Sequence, residues 1–211
     1  MTRLHQIALT LAAFCCASAL AVAAQPVYQK GSAKSAPVLS QSYTWYDGDT
    51  AQQVWLNPGV VAEFKPSTKG ANAVKSVSPA ATQLTAHSSR NSVRIWQLGS
   101  SDATATRSLS IAHPSGLYSP VFHDDANGSG PMRALPGNVI VYLNPSWNAA
   151  AINDWLAKRK LQTVKKLDIG KNVYVIKSAP GLDALNLANE LHSSGEVVSA
   201  MPDWWKEVST R

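Results

Sequence analysis

Between Asn138 and Pro202 the sequence switches repeatedly between strand-like and helix-like spacing, and the order of those switches constrains the fold more than any other feature. Residues 138–143 (NVIVYL) are β-branched, aromatic and uncharged, the pattern of a central strand, and Asn144, Pro145 and Ser146 end it. Asn148 stands where a helix N-cap belongs, with Trp147 and Ile152 in the positions of a hydrophobic staple. Ile152, Trp155 and Leu156 share one helix face, and the basic last turn at Lys158, Arg159 and Lys160 complements the helix dipole. Residues 161–167 and 173–177 flank the turn 168–172 (DIGKN) and are expected to pair as a hairpin. Leu182, Leu185, Ala188 and Leu191 recur at three and four residues as a second helix, with Gly195 as its left-handed stop. Residues 196–201 form a last short strand before Pro202. The order is β-α-β-β-α-β.

The preceding stretch is β-like but interrupted. Residues 42–46 (SYTWY) and 53–56 (QVWL) flank the hairpin-type turn Asp47, Gly48, Asp49, and residues 60–64, 93–96 and 117–122 are further short strands. Residues 66–92 and 99–112, rich in Ser, Ala, Thr and Lys, read as long loops. Residues 125–131 (DANGSGP) read as a hinge, which sets a domain boundary at 130/131. At the other end, a short basic segment containing Arg3 precedes an Ala- and Leu-rich run to Ala24 with small residues at Ala21 and Ala23, the pattern of a cleavable signal peptide. A membrane anchor is the competing reading, but no basic stop-transfer cluster follows. Cys15 and Cys16 both lie in this segment, so the mature chain would hold neither a disulfide nor a thiolate metal site.

The expected fold class is therefore α+β: a C-terminal ferredoxin-like βαββαβ module (131–211) behind a β-rich region with long loops (41–130), a flexible lead-in (25–40) and a signal peptide (1–24). A periplasmic or secreted location follows, with no membrane span after signal cleavage.

Charge and motifs narrow the function by exclusion. The formal net charge is +6, yet the basic residues are scattered along the chain with no run longer than residues 158–160, so no nucleic-acid partner is expected. His123, Asp124 and Asp125 are the only His/carboxylate cluster, and neighbours on a loop rarely converge on one ion, so the expectation is a solvated turn and no metal site. No H-E-x-x-H or G-x-S-x-G occurs, and residues 127–130 lack the Lys of a phosphate loop. No catalytic residue, no cofactor and no enzymatic activity are expected. Trp45, Trp55 and Trp96 are either core residues or platforms for a sugar.

The last part of the module carries a resemblance. Leu187, Ala188, Asn189, Leu191, Ser194, Gly195, Val197, Ala200 and Pro202 match in type and spacing the closing segment of the prodomain of bacterial subtilisin-like serine proteases, with Asp203 departing where that family commonly has Asn. The resemblance spans about residues 115–211. None of the family's Asp-Ser/Thr-Gly, His-Gly-Thr or Gly-Thr-Ser triad segments is present in these residues. What the resemblance implies is a prodomain without its enzyme, acting in trans as folding chaperone, inhibitor or both, with a subtilisin-like serine protease as partner. It implies further that the module's sheet packs on the protease while the tail lies in the substrate cleft. That tail is Trp204, Trp205, Lys206, Glu207, Val208, Ser209, Thr210 and Arg211, with Arg211 in the primary specificity pocket and Val208 three subsites upstream. The alternative is a cell-envelope module whose β-rich half binds a glycan or peptide.

Overall fold

A fifteen-residue strand through the middle of the β-rich half organises everything around it. The computed structural model describes residues 39–66, 73–84 and 93–208. In it, β1 (Ser42–Asp47) turns at Gly48, whose φ of +58° suits a tight hairpin, into β2 (Thr50–Phe64). The two short strands expected at 53–56 and 60–64 are thus one, and the reason lies at Pro58 and Gly59. Pro58 has no N–H to give a ladder, and the β2–β5 register breaks between Asn57 and Val61 as a bulge rather than a chain reversal. The bulge carbonyls are satisfied from outside: Leu98 N and Gln97 Nε2 donate to Gly59 O at 2.8 and 3.0 Å, and Asp102 N to Pro58 O at 2.9 Å. Beside β2 lie β4 (Val93–Gln97) and β5 (Leu117–His123), and β3 (Thr82–Gln83) pairs outside β4.

Two helices occupy segments that the sequence reads as loops. The first, α1 (Ala73–Val77), buries Val74, and α2 (Ala105–Ala112) buries Ala105 and Leu109, one turn apart, against Val61, Trp96 and Tyr118. Only one or two apolar residues anchor each, too few to stand out as a period among Ser, Thr and Ala.

Downstream, β6 (Arg133–Ala134) pairs with β5 and therefore still belongs to the first sheet, so the boundary drawn at 130/131 falls inside a β5–β6 connection. A second, four-stranded antiparallel sheet follows, made of β7 (Val139–Tyr142), β8 (Thr163–Leu167), β9 (Val173–Ile176) and β10 (Ser199–Pro202) in the order β10-β7-β9-β8. Both of its helices, α3 (Ala149–Lys158) and α4 (Leu182–Ser193), cover one face, where Val139, Val141 and Ile176 meet Ile152, Trp155 and Leu191. Local chemistry fixes the helix ends as the sequence suggests: Asn148 Oδ1 accepts from Ala151 N at 2.9 Å, and Gly195 has φ +67° past the end of α4. Asn172 Nδ2 donates to Asn144 O and Trp147 O, tying the β8–β9 hairpin to the turn before α3.

The protein is thus a mixed α+β chain of mostly antiparallel strands with few helices. One helix belongs to both halves. Ala188 and Leu191 of α4 pack into the second sheet, whereas Ala184 and Leu185 meet Trp45, Phe122 and Leu135 of the first. At the end of the described chain β11 (Trp205–Lys206) pairs with β6, giving the first sheet the order β11-β6-β5-β2-β4-β3, with β1 also on β2. The described residues all fall in one compact unit. The segment read as a signal peptide and the expected lead-in up to residue 38 lie outside the described residues; Leu39 N donates to Ala126 O at 2.7 Å.

Candidate functional site

The tail leaves β10 after Pro202, and Asp203 N donates to Asn138 O at 3.3 Å. Burial pushes the Asp203 carboxyl above its ordinary range, partly offset by the charge of Lys165. Trp204 then turns its ring onto the first sheet, edge to face with Trp45 at 5.7 Å and Phe122 at 5.6 Å between centroids. The Arg133 guanidinium lies over both Trp45 and Trp204, at 5.7 and 5.9 Å from the ring centroids. Trp205, opposite Ala134 in register, packs at 6.4 Å from Phe64, and Lys206 stands opposite Arg133. Asp124 joins the two cations, accepting from Arg133 Nε and, at 3.4 Å, from Lys206 Nζ. Glu207 closes the strand twice: its N–H donates to Met132 O at 2.8 Å, and its Oε2 accepts from Met132 N at 3.0 Å. Val208 is 79% exposed. Ser209, Thr210 and Arg211 lie outside the described residues.

Of the eight tail residues singled out in the sequence, the structure therefore brings four onto the first sheet and places Val208 in solvent. The paired tryptophans serve the chain's own packing in two different clusters, Trp204 against Trp45 and Phe122 and Trp205 against Phe64 and its neighbours.

His123, Asp124 and Asp125 diverge, as adjacent residues on an extended strand end must. His123 is buried with Nε2 3.4 Å from Asn57 Nδ2, and its burial lowers its pKa against the opposing pull of Asp125, Glu207 and Asp124. Asp124 serves the tail. Asp125 accepts from Asn127 N, Ser129 N and Ser129 Oγ, which orders the 125–130 turn and holds its carboxyl below the usual range. Among the described residues no group of three His, Cys, Asp or Glu side chains converges on a point that could hold a metal. Two of the three proposed sugar platforms are core: Trp45 is 8% and Trp96 1% exposed, and Trp96 Nε1 donates to Glu63 Oε2 at 3.0 Å.

The second sheet has one face without a helix. Its registers align Met201, Ile140, Val175 and Lys165 in one row and Ser199, Tyr142, Val173 and Leu167 in the next, on the side opposite α3 and α4. Six of these eight are apolar or aromatic. The residues that carry the family resemblance sit elsewhere and do structural work. Ala188, Leu191 and Ala200 lie in the second core, with Leu187 and Val197 packed against it. Ser194 Oγ donates to Leu191 O, and Asn189 Nδ2 donates to Thr44 O at 2.8 Å, fastening α4 to β1.

No protein-family model, curated protein or solved structure matches this chain. The functional reading accordingly rests on the chain's own residues. Among the described residues no helix is long and apolar enough to cross a membrane.

Proposed function

We propose that the chain is an exported, non-catalytic partner of a subtilisin-like serine protease, acting in trans as folding chaperone, inhibitor or both through a ferredoxin-like βαββαβ module. The observation that carries this reading is the strand order β10-β7-β9-β8 with both helices on one face, which leaves Ile140, Tyr142, Lys165 and Leu167 at least partly exposed on the other and sends the chain out of β10 toward the tail. A sheet face of this kind suits packing on a folded enzyme, and an extended segment beyond it suits strand addition at a substrate cleft, with main-chain bonds giving affinity and side chains filling subsites. Folding assistance follows by linkage, since whatever binds the native enzyme and not the unfolded one stabilises the native state.

The internal pairing of Trp204 to Glu207 narrows the segment that reaches a cleft to Val208, Ser209, Thr210 and Arg211. Arg211 then fills the primary pocket and Val208 the subsite three positions upstream. The test is inhibition of peptide hydrolysis by several subtilisin-like proteases, comparing the mature protein with a variant lacking residues 208–211. Inhibition that the truncation abolishes, with its thermal unfolding unchanged, supports the proposal. Absence of inhibition, of complex and of refolding rescue across the panel refutes it. Removing residues 204–211 is not an equivalent experiment, because it also strips Trp204 from the first sheet. The glycan-binding alternative gains nothing from burial of Trp45 and Trp96.

A further inference from the structure

One stretch of the sequence carries the chain's whole net charge, and the fold lays it along one edge. Residues 158–177 hold seven basic residues and one acid, Asp168, a balance of +6 that equals the formal charge of the whole chain and leaves twelve basic and twelve acidic residues elsewhere. This stretch is the end of α3, the edge strand β8, the turn after it and β9. Arg159 is spent inside the fold, 3.4 Å from Glu190 and 2.7 Å from Glu196. The other six, Lys158, Lys160, Lys165, Lys166, Lys171 and Lys177, are all exposed and make no ion pair among the described residues.

Their order in space follows the strand. Lys158 and Lys160 end α3 just before β8 begins, and Lys177, whose N–H donates to Gln162 O at 2.7 Å, stands at that same end. Lys165 and Lys166 lie within β8, and Lys171 is in the turn at its far end. The result is a cationic strip along an edge roughly 17 Å long. That edge pairs with β9 on one side only among the described residues, so the backbone groups on its outer side have no strand partner.

Lysines on a bare edge are a common guard against aggregation, but two details exceed that role. Val164, at the register shift, is 53% exposed and Ile169 is 66% exposed, so apolar side chains stand in the open beside the charges. The cations also extend past both ends of β8, where no strand edge needs protection. We propose that the β8 edge is a docking site for an acidic, extended peptide segment, which adds a fifth strand to the second sheet. Its main chain pairs with β8, its carboxylates meet the six lysines, and its apolar residues cover Val164 and Ile169. The edge lies opposite β10, which leads to the tail, and shares only Lys165 and Leu167 of β8 with the face proposed above to meet a protease, so peptide binding is tested with no protease present and stands or falls without that reading.

The test uses the mature protein and a synthetic peptide of alternating Val and Glu, with a second version N-methylated at every other residue that keeps all charges and loses edge N–H groups. Binding is read by fluorescence anisotropy at low and high salt, and amide hydrogen exchange reports on β8. Expected is binding that weakens at least tenfold for the N-methylated peptide and at least tenfold for Lys165→Glu/Lys166→Glu, with new protection of residues 163–167. The exposed positions of both lysines allow that variant to fold, which its unfolding curve checks. Equal binding of the two peptides, no binding of either, or capture by phosphatidylglycerol vesicles in place of the peptide overturns the proposal.

Discussion

Replacing Trp204 by Ala separates a tail that is part of the fold from one that merely follows it. Large aromatic-to-Ala changes in a core cost about 3–5 kcal/mol. Trp204 is only partly buried, which lowers that figure, but it makes edge-to-face contacts with Trp45 and Phe122 and lies under Arg133. Each such aromatic pair contributes about 0.5–1.5 kcal/mol beyond area burial. A loss of about 3 kcal/mol is the balance, or about 6–12 °C in Tm for a domain of this size. Urea unfolding followed by fluorescence and circular dichroism should show a lower midpoint with the slope unchanged. Combined with Trp45→Ala, the double mutant should show a coupling of about 1 kcal/mol. Trp204→Phe should cost less than about 1 kcal/mol, because the buried indole Nε1 has no hydrogen-bond partner to lose. Deleting residues 208–211 should leave stability within about 0.5 kcal/mol. A Trp204→Ala variant as stable as the parent, or strictly additive with Trp45→Ala, refutes the anchoring of the tail.

Other consequences are as direct. Gly137 has φ +106°, and a Cβ there would stand 2.8 Å from Ser178 O, so Gly137→Ala should cost about 2 kcal/mol or more in a urea titration. Asn148→Ala removes the cap accepted from Ala151 N and should cost about 1 kcal/mol by the same measurement. The Glu196 carboxyl is held down to about 2 by Arg159 and by the indole N–H of Trp155. Its stabilising effect is therefore complete above its ordinary value of 4.5 and lost as pH falls from there through about 2. NMR titration should find that midpoint, and Glu196→Gln should flatten that part of the stability profile.

The elements that can be read in the sequence are those whose side chains face one core at a regular period. The run from β7 to β10 is of this kind: residues 138–143 and the Ile152, Trp155, Leu156 face bury one side against the same cluster, and the Leu182-to-Leu191 repeat divides between that cluster, through Ala188 and Leu191, and the first sheet's, through Leu182 and Leu185. The elements missed lack a period. A two-residue strand such as β6 or β11 has no alternation to detect, and its partner is set by distant chain that only the fold brings near. The continuous β2 hides behind Pro58, because a proline reads as an interruption and only the outside donors at Leu98, Gln97 and Asp102 make it a bulge. Trp204 and Trp205 are conspicuous residues in either reading, and which surface they cover is not encoded in their spacing. The lysines show the converse: spaced over one stretch of twenty residues, they line up because an α-helix end, a strand and its return lie along one edge.

The pairing of β6 with β11 has a mechanical consequence. The four strands and two helices between residues 134 and 205 leave and rejoin the first sheet at adjacent positions, so that segment is a loop with its two feet together. Tension applied beyond Val208 reaches β11 first, and antiparallel strands pulled from one end open a pair at a time, like a zip. Two ladder pairs, the two Glu207–Met132 bonds and the packing of Trp204 and Trp205 resist. The second sheet carries no load until that clasp has parted. A short fastening near the end of the described chain thus shields the larger structure behind it.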